Sequence, residues 1–144
     1  MAIKAYIIRL VGVKESEQLA TECLASANKV GLDATLFDGV FSKQDIDKAM
    51  TDFNIMPFSS KMKKNRLGVK GCFLSHYSLW KRSIETNSTI VVLEHDAHLL
   101  RPLPNNIIDN FDEFLILDPF NKFSKGYSKK VAQSSLLSQE IVDY

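Results

Sequence analysis

The fold is decided by residues 89–97, which read TIVVLEHDA. The run Thr89–Leu93 is uninterrupted and mostly β-branched, which predicts a fully buried strand. Glu94 and Asp96 follow at its carboxyl end, the edge at which open α/β sheets hold ligands. If the chain stays extended there, both carboxylates point to one side, about 6–7 Å apart. That spacing suits a hard divalent cation, and the simpler interpretation is a pair of solvent-facing acids.

A helix is predicted just before this strand, from Gly71 to about Thr86. Its apolar and small residues recur every three or four positions, which is typical of one face packed on a core. The predicted buried face consists of Cys72, Phe73, His76, Leu79, Trp80, Ser83 and Ile84. A histidine on such a face is more often a core residue than a catalyst. Its ring could also bridge the helix to the loop that carries Glu94 and Asp96.

The first third of the chain predicts a strand, a helix and a second parallel strand. The strand covers Ala2–Val11, the helix runs from Lys14 to Val30 with Gly31 as its C-cap, and the second strand is Asp33–Phe37. Asp38 and Gly39 form the turn that follows. Further on, Ser42 and Asp45 resemble a capping box, which predicts a helix that starts there and runs to about Thr51. The sequence then predicts an irregular segment, Phe53–Ser60, with exposed phenylalanines, and a strand, Glu113–Leu117.

The composition indicates an ordinary globular protein. The 144 residues suffice for a single domain, residues 1–144, in which about 121–144 form a poorly defined tail. A net charge of +1 gives no global field for nucleic acid or a membrane surface. No apolar run is long enough to span a membrane, and the N-terminus does not resemble a signal peptide, so we expect a cytoplasmic protein. Cys23 and Cys72 are expected to be buried free thiols.

Two motifs together resemble glycosyltransferase family 25, which includes lipopolysaccharide-type sugar transferases and phage-encoded relatives. The first is GCFLSHYSLW at residues 71–80, and the second is LEHDA at residues 93–97. The resemblance implies a GT-A-like (Rossmann-like) α/β fold, a mostly parallel sheet flanked by helices and shortened at the C-terminus. It also implies a nucleotide-sugar donor such as a UDP-sugar, a glycan or lipid-linked acceptor, and a divalent metal, usually Mn²⁺.

The same resemblance implies which residues form the donor site. Glu94 and Asp96 would hold the metal and the diphosphate. The other residues expected around the donor are Ser75 and His76 on the helix, Asp38 and Gly39 near the nucleoside, and Arg66, with Lys70, as compensating charges.

The chain departs from the family pattern at three places. His95 replaces the middle acid of the second motif, the glutamate expected before Gly71 is missing, and the later segment that supplies the acceptor site has no counterpart. One alternative is therefore a truncated, non-catalytic relative that binds a nucleotide sugar, or binds a protein through residues 53–58, and a shortened domain could also form a homo-oligomer. A second alternative is a metal hydrolase that uses His95, Asp96 and His98.

Overall fold

The structure is a computed structural model that describes residues 3–55, 67–110 and 115. It contains three strands and three α-helices, in the order β1 (Lys4–Arg9), α1 (Lys14–Lys29), β2 (Asp33–Asp38), α2 (Lys43–Asp52), α3 (Leu67–Thr86) and β3 (Ile90–Glu94). The chain divides into two compact units, Met1–Pro102 and Leu103–Tyr144. All six elements belong to the first unit, and the described part of the second carries a short 3₁₀ helix, Ile107–Asn110.

The three strands form one parallel sheet in the order β2-β1-β3. Lys4 pairs with Asp33 on one side and with Ile90 on the other, so all three strands end at the same edge. This arrangement confirms the predicted parallel α/β fold and its opening strand–helix–strand unit. Since the strand order reverses around β1, the carboxyl edge of the sheet contains a switch point of the kind that binds ligands in open α/β folds.

Alternation along the strands assigns the two faces of the sheet to different helices. Ile7 packs with Ala20 and Cys23 of α1 on one face. Tyr6 and Ile8 pack with Leu79 of α3 on the other face, and Ile90 and Val92 of β3 join them. Because side chains alternate with a period of two, Glu94 falls on the α3 face with Ile90 and Val92. This alternation places the Glu94 side chain on the same side of the sheet as α3, where the candidate site lies.

The ends of α1 and α2 follow the predicted capping chemistry. Gly31 adopts a positive φ of 76°, and the Leu32 N–H donates to the Ala27 carbonyl at 3.0 Å, which closes α1 in a Schellman arrangement. The Ser42 side chain accepts from the Asp45 N–H at 3.1 Å and caps α2. Both predictions are confirmed.

Three burial predictions were wrong. The apolar residues of β3, Ile90 to Leu93, are half-buried rather than fully buried, because β3 is an outer strand of the sheet in the described part of the chain. In α3 the buried residues are Gly71, Leu74, Ser75 and Leu79, whereas Trp80 is exposed and Ile84 is 80% exposed. Phe53, expected to be exposed, is half-buried and contacts Tyr77 with a ring-centroid distance of 5.1 Å.

Several predicted segments lie outside the described residues. They are most of the strand Glu113–Leu117, the tail beyond it, Phe58, and the basic segment that contains Arg66. Within the described part of the chain, no helix combines the length and the apolar character that a membrane crossing requires.

Candidate functional site

Each strand ends in a charged residue at the carboxyl edge of the sheet, with Arg9 and Asp38 on the α1 face and Glu94 on the α3 face. Arg9 ends β1 beside Asp38 of β2, and Glu94 ends β3 beside Ile8. The Arg9 Nε donates to Asp38 Oδ1 at 2.8 Å. The Asp38 side chain is 63% exposed, so this pair contributes about 0–1 kcal/mol to stability. Its main effect is to fix a guanidinium and a carboxylate at the predicted ligand edge.

Two backbone N–H groups of the loop after β1 are bonded to side chains of α1. The Leu10 N–H donates to Ser16 Oγ at 2.9 Å, and the Gly12 N–H donates to Glu17 Oε1 at 3.0 Å. Both acceptors lie in the first turn of α1, the place where dinucleotide-binding folds hold a pyrophosphate. The Glu17 carboxylate would repel a phosphate at this turn.

The segment that follows β2 is fixed against both β1 and α3. The Gly39 N–H donates to the Arg9 carbonyl at 2.8 Å, and a Cβ on Gly39 would lie 2.9 Å from Ile8 Cγ2. The Val40 N–H donates to Ser75 Oγ at 2.8 Å, while the Ser75 hydroxyl donates to the Gly71 carbonyl at 2.7 Å. Ser75 is 1% exposed. In this structure Gly39 and Ser75 therefore position the site, and their contact with a donor stays a prediction.

Gly71 allows the closest approach between α3 and this segment. A Cβ at Gly71 would lie 2.2 Å from the Val40 carbonyl oxygen, a distance that no side chain tolerates. The helix therefore packs directly on the backbone that follows β2. This contact sets the rotation of α3 and hence the direction of the next side chains, Cys72 and His76.

Cys72, His76 and Glu94 converge at the end of β3. The His76 Nε2 lies 3.4 Å from Glu94 Oε1, and the Cys72 Sγ lies 3.7 Å from the same oxygen. Cys72 and His76 are four residues apart on α3, so they share one helix face. One ligand atom from each of the three residues lies within 4.8 Å of the other two. Such a group can hold a metal ion.

Cys72 does not have the features of an activated nucleophile. Burial raises the pKa of the Cys72 thiol, and the charge of Glu94 and the hydrogen bond to it raise that pKa further. A nucleophilic cysteine needs the opposite shift, from a cationic partner or a helix N-terminus. The prediction that Cys72 is buried was also wrong, because its residue is exposed on the face of α3 that meets Glu94.

The two acids of the second motif lie in different surroundings. The Ala97 N–H donates to the Glu94 carbonyl at 3.1 Å, so the chain turns at His95 and Asp96 instead of staying extended. Glu94 contacts α3, whereas the charge of Asp96 acts on Cys23 of α1, whose pKa is raised by burial and then by that charge. The shared-side geometry expected of a continuing strand is therefore absent, and the joint metal assignment stays a prediction.

A second contact anchors the segment beyond the acids. The Leu99 N–H donates to Ser26 Oγ at 3.1 Å, and the Ser26 hydroxyl donates to the Cys23 carbonyl at 2.7 Å. This bond ties the chain after the turn to α1.

The sequence analysis missed two members of the site, Arg9 and Cys72. Each left a signal that could have been used: Arg9 ends a predicted strand, and Cys72 lies four residues before His76. Of the predicted donor residues, Asp38, Gly39, Ser75, His76, Glu94 and Asp96 are all found at or next to the carboxyl edge, whereas Arg66 lies outside the described residues. Within the part of the chain that the structure describes, His95, Asp96 and His98 do not converge as the metal-hydrolase alternative requires.

Comparison with known proteins gives two matches. The sequence model of the family described as Glycosyltransferase family 25 (LPS biosynthesis protein) matches residues 2–139. A protein of Anopheles gambiae named "Glycosyltransferase 25 family member" is 32% identical over 97 residues, an alignment that covers 62% of this chain and 16% of that relative. The chain therefore matches a small fraction of the length of this relative.

Proposed function

This chain belongs to glycosyltransferase family 25, and on that basis we propose that it binds a nucleotide-sugar donor for transfer of the sugar to an acceptor. The donor class is a UDP-sugar and the acceptor is a glycan or a lipid-linked saccharide. The observation that carries the proposal is the carboxyl edge of the sheet, where Arg9, Asp38 and Glu94 end the three strands and the strand order reverses.

The residues at this edge divide the work of holding such a donor. The Arg9–Asp38 pair lies at the end of β2, where it would face the nucleoside, and its guanidinium keeps the carboxylate oriented. His76 contacts Glu94 and holds that side chain toward α3. Gly39 and Ser75 keep the connecting segment close to the sheet and to α3.

A divalent metal is part of the proposal. Glu94 suits such an ion because its carboxylate is 56% exposed at the edge of the sheet, and Asp96 is an exposed acid in the turn that follows. Carboxylate oxygens are the ligands that Mn²⁺ and Mg²⁺ prefer. When bound, the metal would neutralise the negative charge that develops on the departing nucleoside diphosphate.

The test is thermal stabilisation of the purified protein by a panel of nucleotide sugars, with and without Mn²⁺. A ligand that binds only the folded state raises the melting temperature by mass action. At a free ligand concentration of 100 times Kd, it adds about 2.7 kcal/mol to the free energy of unfolding. We expect one donor to raise the melting temperature, and only when Mn²⁺ is present. No shift with any donor in a folded sample would contradict the proposal and favour the non-catalytic alternative.

A variant pair tests the metal assignment. Asp96→Ala should abolish the Mn²⁺-dependent shift while changing stability by less than about 0.5 kcal/mol, since an exposed acid contributes little packing. Asp33→Ala is the matched control, because Asp33 is an exposed acid at the opposite edge of the sheet. It should keep the full shift. Unchanged donor affinity in Asp96→Ala would remove Asp96 from the site.

A further inference from the structure

The side chains around Glu94 differ in kind from those of a site for hard cations. They are one thiol, one imidazole and one carboxylate, from Cys72, His76 and Glu94. Thiolate and imidazole favour zinc and chemically similar transition metals, whereas Mn²⁺ and Mg²⁺ favour oxygen ligands. From this donor set and its geometry we infer that Cys72, His76 and Glu94 form a binding site for a zinc-class transition-metal ion.

The distances agree with shared coordination of one ion. Metal–ligand bonds of about 2.0–2.3 Å at tetrahedral angles place neighbouring ligand atoms about 3.3–3.8 Å apart. The Glu94 Oε1 lies 3.4 Å from the His76 Nε2 and 3.7 Å from the Cys72 Sγ. All three ligand atoms lie within 4.8 Å of one another, so binding requires only small side-chain adjustments.

The backbone around the three ligands is fixed before any ion arrives. Cys72 and His76 are separated by one helical turn, the spacing by which two ligands on one helix reach the same ion. The residue before each of these ligands, Gly71 and Ser75, contacts the backbone of Val40. Glu94 is the last residue of β3 and is paired with Ile8 in the sheet. The ligands therefore come from a rigid helix and a rigid strand.

Three protein ligands leave one tetrahedral position open. That number is typical of zinc sites that bind water or a substrate atom, whereas structural zinc sites have four protein ligands. Cys72 and Glu94 are exposed, so solvent or a ligand oxygen reaches this position. The site does not rest on the proposed sugar transfer, since an ion can bind with no donor present. Glu94 belongs to both sites, so occupation by a zinc-class ion would compete with Mn²⁺ for that carboxylate.

The experiment is a titration of the purified, reduced protein with Co²⁺ alone, followed by absorption spectroscopy. Tetrahedral Co²⁺ gives intense visible bands, and a cobalt–thiolate bond adds a charge-transfer band in the near ultraviolet. We expect both bands to appear at one equivalent of Co²⁺ and to vanish when Zn²⁺ is added. Excess Mn²⁺ should leave them in place, because it competes poorly for a thiolate.

Variants assign the bands to residues. Cys72→Ser should remove the thiolate band and weaken Co²⁺ binding at least about tenfold. Losing a residue that only hydrogen-bonds a metal ligand already costs about that much, so losing a ligand should cost no less. His76→Gln should weaken binding similarly but keep the thiolate band at saturating Co²⁺. Cys23→Ala is the matched control, because Cys23 lies in the core under α1, and its spectrum should match that of the unmodified protein.

Two outcomes would overturn the inference. One is a folded, unmodified protein that shows no thiolate band with Co²⁺. The other is a band that survives Cys72→Ser. Neither outcome bears on the thermal-shift test with nucleotide sugars and Mn²⁺, so failure of the metal site and failure of the proposed function are distinguishable.

Discussion

At the scale of single residues, Ser75 shows how a site motif acts through the backbone. Ser75 belongs to the motif at residues 71–80 that resembles glycosyltransferase family 25. Its hydroxyl nevertheless accepts from the Val40 N–H and donates to the Gly71 carbonyl. Because Ser75 is buried, it contributes to the site by holding the segment at Val40 in place and by orienting His76, the next residue in α3. A motif residue can therefore be needed for binding without touching the ligand.

Replacing Ser75 tests this role. Ser75→Ala leaves the Val40 N–H without its acceptor, and we expect a loss of about 1–3 kcal/mol in the free energy of unfolding, the cost of an unsatisfied buried donor. Urea denaturation measures the change. The control is Ser78→Ala, because the Ser78 hydroxyl donates to the Leu74 carbonyl within the same helix. That variant should change stability by less than about 0.5 kcal/mol, and equal effects in the two variants would contradict the assigned role.

At the scale of elements, the approach of α3 to the segment after β2 determines which helix face meets β3. Gly71→Ala should force the helix away from Val40 and cost about 1–3 kcal/mol, the usual range for overpacking. The matched control is Gly68→Ala, three residues earlier in the same helix, where an added Cβ meets no atom within 4 Å. Thermal unfolding should show a loss for Gly71→Ala and none for Gly68→Ala. A stable Gly71→Ala protein would mean that the close contact is absent in solution.

Local patterns were enough to predict the elements, and tertiary contacts decided what the patterns left open. The strand β1, the helix α1 with Gly31, and the strand β2 follow from spacing and capping within each segment. The half-buried state of β3 cannot be predicted from its own sequence, because burial of a strand depends on which strands lie beside it. The face of α3 was misassigned at Trp80 and Ile84 for a related reason, since the helix is rotated by the contact at Gly71.

The candidate site was predictable in position and less so in detail. Glu94 falls at the carboxyl end of its strand, as the β-branched run indicated, and His76 reaches it from α3. The separation of Glu94 from Asp96 depends on one turn bond, from the Ala97 N–H to the Glu94 carbonyl, that spacing alone does not specify. Helical periodicity alone places Cys72 on the core face, whereas the structure exposes it beside Glu94 at the end of β3.

At the scale of the whole molecule, the buried thiol of Cys23 links stability to pH. Burial raises the pKa of Cys23 above its usual value of 9.0, with a further contribution from Asp96. The folded state therefore favours the neutral thiol more than the unfolded state does. This stabilisation is fully present below pH 9.0 and is lost as the pH rises through the higher pKa of the folded state.

We therefore expect the free energy of unfolding to fall as the pH rises above 9.0, and to fall less steeply in Cys23→Ala. Urea denaturation at a series of alkaline pH values measures both slopes. Cys72→Ser is the companion variant, since the pKa of Cys72 is raised as well. Identical slopes for the unmodified protein and Cys23→Ala would show that the Cys23 thiol does not contribute to the alkaline loss.

The central strand of the sheet, β1, is synthesised before both of the strands that pair with it. β1 can pair with β2 as soon as the opening strand–helix–strand unit has emerged, but its other side stays open until residues 90–94 have been synthesised. During that interval the nascent chain exposes an unpaired parallel edge bordered by Ile7 and Ile8, and such edges recruit other chains. Synthesis rate across α2 and α3, and the availability of chaperones, should therefore govern how much of this protein is recovered in soluble form.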